Sequence, residues 1–166
     1  MADDRLYVLG QTLLDEAASL LLAAGREVPD RQYVANGPPP DVAWDCRQLT
    51  VALVRLFSGT PGLERTGRVA GGFGPCATIW SAEYLIELVR CVAGLDDQGD
   101  SPDATVIDAE AATLLTDLYV LQQGLADAAA AGELGARCDD VAIGNVTLVG
   151  PEGGMAAVRV PIQVQL

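Results

Sequence analysis

The sequence predicts an α+β domain in which a mainly antiparallel sheet of about four strands is packed by two long helices. Three observations indicate this class. Apolar residues recur every three or four positions in two long segments, they alternate with polar residues in several short segments, and Gly- and Pro-rich stretches separate these segments. At 166 residues the chain has the length of one ordinary domain, so a single domain over 1–166 is expected.

The first predicted element is an amphipathic helix from Arg5 to Ala24. Its leucines and alanines lie three and four residues apart, and Gly25 follows at the position of a C-terminal cap. The next stretch, residues 26–45, contains an NGPPP run and has no periodicity. Because proline donates no backbone hydrogen bond, this stretch is expected to be an extended arm that is neither helix nor strand.

Two strands are predicted in the middle of the chain. Gln48–Phe57 alternates and is rich in β-branched residues, and Ile79–Val92 has one apolar face, although periodicity alone leaves a helix open there. The loop between them, residues 58–76, is longer than an ordinary hairpin connection, so it is expected to be either a mobile loop or a partner contact. Its arginines give the loop a small excess of positive charge, although the whole chain has a formal net charge of -13. Arg65 and Arg68 are therefore candidate assembly contacts.

The second long helix is predicted to begin with Ser101 as its N-cap and Pro102 in its first helical position, and to end near Gly132. Its apolar stripe has a heptad-like spacing, but few charges flank it. A helix laid on a sheet is therefore favoured over a coiled coil. The stripe consists of Ile107, Ala111, Leu114, Leu118, Leu121, Leu125 and Ala128.

The C-terminal segment predicts a hairpin, with strands at 141–149 and 155–166 around a GPEGG turn at 150–154. Pro161 indicates that the second strand either lies at a sheet edge or carries a bulge, because proline cannot donate to a ladder. Apolar and polar residues alternate in this strand as far as Leu166. An edge strand of this kind is expected to be covered by a neighbouring subunit or by the extended arm. The candidate assembly residues in this strand are Pro161, Ile162, Val164 and Leu166.

Composition narrows the chemistry that is available. Histidine is absent, which removes the Ser-His and Cys-His dyads and leaves carboxylates, cysteine and tyrosine for acid-base work. The cysteines are too far apart for a CxxC knuckle, and no phosphate-binding glycine motif or calcium loop occurs, so neither a metal nor a cofactor is expected. Buried free thiols are favoured over a disulfide, such as one between Cys46 and Cys76, for a chain made in a reducing compartment.

Charge and hydropathy also bear on partners. All ten basic residues are arginine, and the strong negative charge opposes docking onto nucleic-acid phosphates, so no specific nucleic-acid binding is expected. No apolar run approaches the ~20 residues that cross a bilayer, and the apolar cluster at 20–24 lacks a basic leader. No membrane partner is expected, and the chain is expected to be made in a cytoplasm.

Several short motifs are similar to those of the tail terminator proteins of actinobacterial siphophages, which complete the tail and join it to the head. These motifs are WDCRQL at the first strand, LVRC in the second, LDDQGD before the long helix, and the GPEGG hairpin that ends in VPIQVQL. The resemblance extends over about residues 33–166. Alternatives are another head-tail connector protein, either a stopper or an adaptor, a monomeric binding module, and a small cytoplasmic enzyme that uses carboxylates.

The resemblance implies a virion structural protein without catalysis, located at the neck of the particle after assembly in the host cytoplasm. Its partners would be further copies in a hexameric ring, the tail tube protein, and a head connector or stopper protein, with DNA passing through the ring. Near the first strand, it implies that Trp44 covers the sheet edge, Asp45 caps or pairs, and Cys46 is a small buried apolar group. A reactive Cys46 would instead need a cation such as Arg47 nearby.

Overall fold

The computed structural model describes residues 4–37, 45–59, 61, 80–95, 98–135 and 140–166. Within these residues, six strands form one sheet and two helices pack together on one of its faces. The helices are α1 (Arg5–Ala23) and α2 (Ala104–Ala131). The strands are β1 (Arg31–Asn36), β2 (Gln48–Ser58), β3 (Trp80–Cys91), β4 (Val141–Ile143), β5 (Thr147–Glu152) and β6 (Met155–Gln165).

The sheet is mixed. Its order is β1-β2-β3-β6, and both β4 and β5 pair with the outer side of β6. Only β1 and β2 run parallel among the described strands, while every other pairing is antiparallel. The predicted α+β class is therefore confirmed, but the expectation of about four antiparallel strands was too low in number and missed the parallel pair.

The parallel strand β1 lies inside the stretch that was expected to be an extended arm, so that expectation is wrong over Arg31–Asn36. The prolines of the NGPPP run come after β1, and they leave its ladder to β2 intact. Val34 packs against the core, and the Gly37 N–H donates to the Leu53 carbonyl at 2.9 Å. Residues 38–44 of the predicted arm lie outside the described residues.

Helix α1 ends as the sequence predicts. The Arg26 N–H donates to the Leu21 carbonyl at 2.8 Å and the Gly25 N–H to the Leu22 carbonyl at 2.9 Å, with Gly25 at a φ of 67°. Only glycine adopts this left-handed conformation without strain, which fixes the end of the helix. By length and composition alone α1 could cross a membrane, but its apolar stripe lies in the core. The buried residues of α1 are Gly10, Leu13, Leu14, Ala17 and Leu21.

Helix α2 begins two residues later than the sequence predicts, because Asp103 and not Ser101 is its N-cap. The Asp103 carboxylate accepts hydrogen bonds from the Thr105 backbone N–H at 2.8 Å and from the Thr105 hydroxyl at 2.6 Å. An ionised acceptor makes stronger hydrogen bonds than a serine hydroxyl, which favours the start at Asp103. The predicted end is confirmed, since Gly132 caps the helix with a φ of 77°.

This cap gives a pH-dependent prediction. The hydrogen bonds from the Thr105 hydroxyl and backbone N–H lower the pKa of Asp103. A lowered pKa means that the cap stabilises the fold above the ordinary carboxyl pKa and that this stabilisation is lost as the pH falls through the lowered value. We expect Asp103→Ala to lower the Tm at neutral pH, and the difference from the unsubstituted chain to shrink in acid.

The matched control for this prediction is Ser101→Ala, which removes the predicted but unused cap and should leave the Tm unchanged at both pH values. Thermal melts followed by circular dichroism measure both effects. A Tm difference for Asp103→Ala that is equally large in acid would contradict the role given to the ionised carboxylate.

The two helices approach each other closely and cover the central strands. A Cβ at Gly124 of α2 would lie 2.5 Å from Cδ2 of Leu20 on α1, so a larger residue there would require the Leu20 side chain to move. Tyr84 of β3 is fully buried beneath α1, its hydroxyl donates to the Leu6 carbonyl at 2.8 Å, and burial raises its pKa to about 12. The expectation of a helix laid on a sheet is confirmed for α2, which lies against β6, β4 and α1.

The last strand, β6, is an interior strand, so the expectation that it forms an edge is wrong. One side of β6 pairs with β3, while its other side pairs with β4 at 162–164 and with β5 at 155–159. The Pro161 carbonyl accepts from the Gly144 N–H at 2.8 Å, in the gap between β4 and β5. Because the N–H and C=O of one strand residue point the same way, the donor that Pro161 lacks would face this gap, where no ladder is broken.

Candidate assembly surface

An apolar groove with a volume of about 950 Å³ opens beside the first half of α2. We call it the α2 groove. Its walls are α2, the β5–β6 hairpin at 148–156, and the segment 92–95 that follows β3. The most exposed apolar side chains on these walls are Leu95, Ile107, Leu115 and Leu148. On a folded protein, contiguous exposed apolar surface often marks a site that binds another molecule.

The groove exists because α2 is longer than the helix that it packs against. Helix α2 has 28 residues and α1 has 19. The segment that ends α1 reaches α2 at Arg26, whose guanidinium donates to Asp117 and to the Thr113 carbonyl. Among the described residues, the turns of α2 before Thr113 therefore have no partner helix at their side, and Ile107 stays exposed while Leu121 is fully buried.

Two backbone N–H groups at the edge of the groove are satisfied within the chain. The Ala93 N–H donates to the Glu110 carboxylate at 2.7 Å, and the Val92 N–H donates to the Gly154 carbonyl at 2.8 Å. These contacts fix the segment after β3 against both α2 and the β5–β6 hairpin. The groove is thus held between rigid elements, and what it presents to a partner is mainly apolar area.

No protein-family model matches the chain, and no curated protein matches it.

A buried ion cluster fixes α2 at Asp117, on the C-terminal side of the α2 residues that line the groove. The Asp117 carboxylate accepts from Arg26 Nε at 2.7 Å and from Arg90 Nε at 2.9 Å, and Asp117 is fully buried. The second Nη of Arg90 donates to the Glu27 carbonyl at 2.7 Å. One carboxylate therefore joins the end of α1, the middle of α2 and the end of β3.

The other face of the sheet carries a row of charged and polar side chains. Arg55 donates to the Glu83 carboxylate at 2.6 Å, and Gln163 donates to the same oxygen at 3.3 Å. Beside them, the fully buried Glu87 pairs with Arg159. Each carboxylate in this row has an arginine partner, so the row adds no net charge to that face.

The predicted assembly residues are scattered in the structure. Ile162 and Val164 are buried in the core between the helices and the sheet, so neither is accessible to a partner. Pro161 is half-buried and Leu166 is exposed, and a role for these two in assembly stays a prediction. Arg65 and Arg68 lie outside the described residues, as does most of the long loop at 58–76.

The residues before β2 differ in part from expectation. Asp45 pairs with Arg31 at 3.1 Å, as expected for an acid near the start of the strand. Cys46 is exposed, so the expectation of a buried apolar thiol is wrong, and it forms a disulfide with the exposed Cys91 across a Cα–Cα distance of 5.0 Å. Trp44, Cys76 and Cys138 lie outside the described residues.

Sequence reasoning identified Ile107 and Leu114 only as members of a stripe, and it did not separate the exposed half of that stripe from the buried half. It also missed the ion cluster of Asp117, whose partners are 91 and 27 residues away along the chain. One signal was present, since an aspartate directly beside an apolar stripe usually needs a buried partner. Among the described residues, no group of three or more Cys, Asp or Glu side chains could hold a metal ion.

Proposed function

We propose that this chain is a structural subunit of a phage virion, a tail terminator that assembles into a ring at the end of the tail tube. The observation that carries the proposal is the α2 groove, an open apolar surface held between rigid elements. The resemblance of several short motifs to those of the tail terminators of actinobacterial siphophages favours this kind of assembly over others. The fold class, two helices on one face of a mainly antiparallel sheet, is compatible with the proposal.

In this role the chain acts through the geometry of its contacts and makes or breaks no bond. A ring requires head-to-tail contacts whose rotation closes, and such contacts need stiff elements to set the angle. The ring would end the polymerisation of the tail tube protein on one side and meet the head connector or stopper protein on the other. A formal net charge of -13 repels DNA, which would pass through the ring without specific binding.

The nearest alternative is another protein of the neck, either a stopper or an adaptor, which would use the same kind of surface. The neighbour distinguishes them, because a terminator binds the tail tube protein whereas an adaptor binds the connector. A phage that lacks a working terminator should make tubes of abnormal length, and one that lacks a stopper should make tubes of normal length that fail to join filled heads.

We expect native mass spectrometry of the purified chain, alone and with its tail tube protein, to show a closed oligomer. Leu115→Glu should abolish it, because Leu115 is 55% exposed on the wall of the groove and a carboxylate there cannot be buried without a partner. The matched control is Leu22→Glu, which changes a leucine that is 70% exposed on α1 and lies away from the groove.

Both variants should fold, because both side chains are exposed. If the chain stays monomeric with and without the tube protein, the proposed function is wrong. If Leu22→Glu disrupts the oligomer as strongly as Leu115→Glu does, the groove is not the contact.

A further inference from the structure

A polar cleft of about 330 Å³ lies where β2 begins and β3 ends, and we call it the arginine cleft. Three of the ten arginines of the chain line it, although they come from three separate segments. Arg26 follows α1, Arg47 directly precedes β2, and Arg90 is the second-last residue of β3. Positive charge therefore converges on one place in a chain of formal net charge -13. The other residues that line the cleft are Glu27, Cys91 and Thr113.

The fold holds Arg47 and Arg90 near each other. The disulfide joins Cys46, which precedes Arg47, to Cys91, which follows Arg90, across a Cα–Cα distance of 5.0 Å. Arg47 has a φ of 63°, and among the described residues it is the only non-glycine residue with a positive φ. This conformation is uncommon for a residue with a Cβ, and strained backbone of this kind is concentrated at ligand and active sites. Arg47 is therefore a candidate for a role in binding.

The arginine cleft carries one net positive charge. Arg26 and Arg90 share the single carboxylate of Asp117. Glu27 pairs with Arg47 at 3.3 Å, and each side chain of this second pair is 59% exposed. Because an exposed ion pair contributes little free energy, an anion from solution can compete with Glu27 for Arg47. Three guanidinium groups thus have two carboxylates between them, and one positive charge is left without a counterion.

Two guanidinium nitrogens are left over after these contacts. In both Arg26 and Arg90, Nε donates to Asp117 and Nη2 donates to a backbone carbonyl. Nη1 of each donates to no other described residue, and neither Nη1 is a buried atom without a partner. The side chain of Arg90 is only 9% exposed, and the arginine cleft is the opening that it lines. Both Nη1 groups are therefore accessible donors at the cleft.

These donors and the size of the cleft suit a phosphate group. Guanidinium groups donate strong, charge-assisted hydrogen bonds to phosphate oxygens. Three separate guanidinium groups can each bind a different oxygen of a tetrahedral anion, whereas a carboxylate offers only two oxygens. At ~30 Å³ per water molecule, the cleft has the volume of roughly ten waters. A phosphate group fits in this volume and leaves room for a few further atoms.

We propose that the arginine cleft binds a phosphate group, either as free inorganic phosphate or as part of a small phosphate monoester. Arg26 and Arg90 donate to it through Nη1, and Arg47 turns from Glu27 to the ligand. The bound phosphate joins the end of α1, the start of β2 and the end of β3. The net charge of -13 repels a long polyanion, whereas a small anion is attracted by the local charge of the cleft. This site goes beyond the proposed assembly role and does not depend on it.

Isothermal titration calorimetry at constant ionic strength measures the binding, with sodium phosphate and with glycerol phosphate as the two probes. We expect saturable binding of one phosphate group per chain. At ten times the Kd, the Tm should rise by about 3 to 6 °C, because the ligand binds the folded state only. Tighter binding of either probe supports the proposal and identifies the source of the group. If neither probe binds saturably, the proposal is overturned.

Three variants locate the binding. Arg47→Gln removes one donor and should raise the Kd roughly threefold to fivefold, whereas Glu27→Gln removes the competing carboxylate and should lower it by a similar factor. The matched control is Arg55→Gln, which makes the same change in net charge near the other end of β2 and should leave the Kd unchanged. All three side chains are more than half exposed, so the variants should fold.

The opposite signs expected for Arg47→Gln and Glu27→Gln separate a binding site from a purely structural ion pair, because loss of either partner would destabilise a structural pair in the same direction. Equal Kd values for Arg47→Gln and Arg55→Gln would place the phosphate elsewhere and overturn the proposal. Native mass spectrometry of the ring tests a different surface. A failure of the phosphate site therefore leaves the proposed assembly standing, and a failure to assemble leaves the phosphate site standing.

Discussion

Replacing Asp117 with alanine is expected to destabilise the fold by about 3 to 5 kcal/mol, because it leaves two arginines near each other without the carboxylate that pairs them. Asp117 is fully buried, and the side chains of Arg26 and Arg90 are only 25% and 9% exposed, so solvent cannot replace the lost charge. At about 2 to 4 °C per kcal/mol for a domain of this size, the Tm should fall by roughly 6 to 20 °C.

Two further variants define the cause of this loss. Asp117→Asn keeps the size of the side chain and removes its charge, so it should lose most of the same stability. Asp108→Ala changes an exposed aspartate on the same helix and should stay within about 0.5 kcal/mol of the unsubstituted chain. Denaturant unfolding followed by circular dichroism gives all three values, and the role of the ion cluster is contradicted if Asp117→Ala resembles Asp108→Ala.

The Asp117 cluster also connects stability with the proposed assembly. It holds α2 to the end of α1 and the end of β3, and the α2 groove is formed where α2 extends past that point. A shift of α2 would therefore change the groove even if the fold survived. The groove is a rigid receptor only while this carboxylate keeps both of its partners.

The elements that the sequence predicted well are those with local causes. Gly25 and Gly132 end their helices because a left-handed residue is needed at a cap, and this requirement is visible in a few residues of sequence. The alternation in 48–57 and in 155–166 likewise identifies strands β2 and β6 directly. These features depend on neighbours along the chain and not on distant contacts.

The elements that the sequence predicted poorly depend on distant pairings. Strand β1 is short and gains its stability from a parallel ladder to β2, which no local pattern indicates. The interior position of β6 requires β3 on one side, from a segment about 70 residues earlier, together with β4 and β5 on the other. A proline in β6 indicated either an edge strand or a bulge, but the gap opposite Pro161 satisfies the same requirement within an interior strand.

The sequence predicted the apolar stripe that lines the groove but not its exposure, again because the exposure depends on distant contacts. The apolar stripe of α2 is continuous from Ile107 to Ala128, so periodicity alone predicts that all of it is buried. Which part stays exposed is decided by where α1 ends, and that position follows from packing between segments about 90 residues apart. The exposed half of the stripe thus became identifiable only from the assembled helices.

Reduction of the disulfide between Cys46 and Cys91 is expected to lower the free energy of unfolding by an amount comparable to that expected for Asp117→Ala. The bond links the start of β2 to the end of β3 across 45 residues of sequence, and it extends the ladder in which Gln48 faces Val89. In the chain-entropy model, a closed loop of this length stabilises the folded state by about 4 kcal/mol, because the cross-link restricts the unfolded chain.

Denaturant unfolding with and without reductant measures this contribution. The variant with Cys76→Ala and Cys138→Ala keeps only the described pair, so reductant should lower its free energy of unfolding by about 2 to 4 kcal/mol. The variant with Cys46→Ala and Cys91→Ala should match the reduced state and should not respond to reductant. Since both cysteines of the pair are exposed, reductant in solution should reach the bond without unfolding the chain. Equal unfolding curves for the Cys76→Ala and Cys138→Ala variant in both conditions would show that the disulfide contributes nothing to the stability of this sheet.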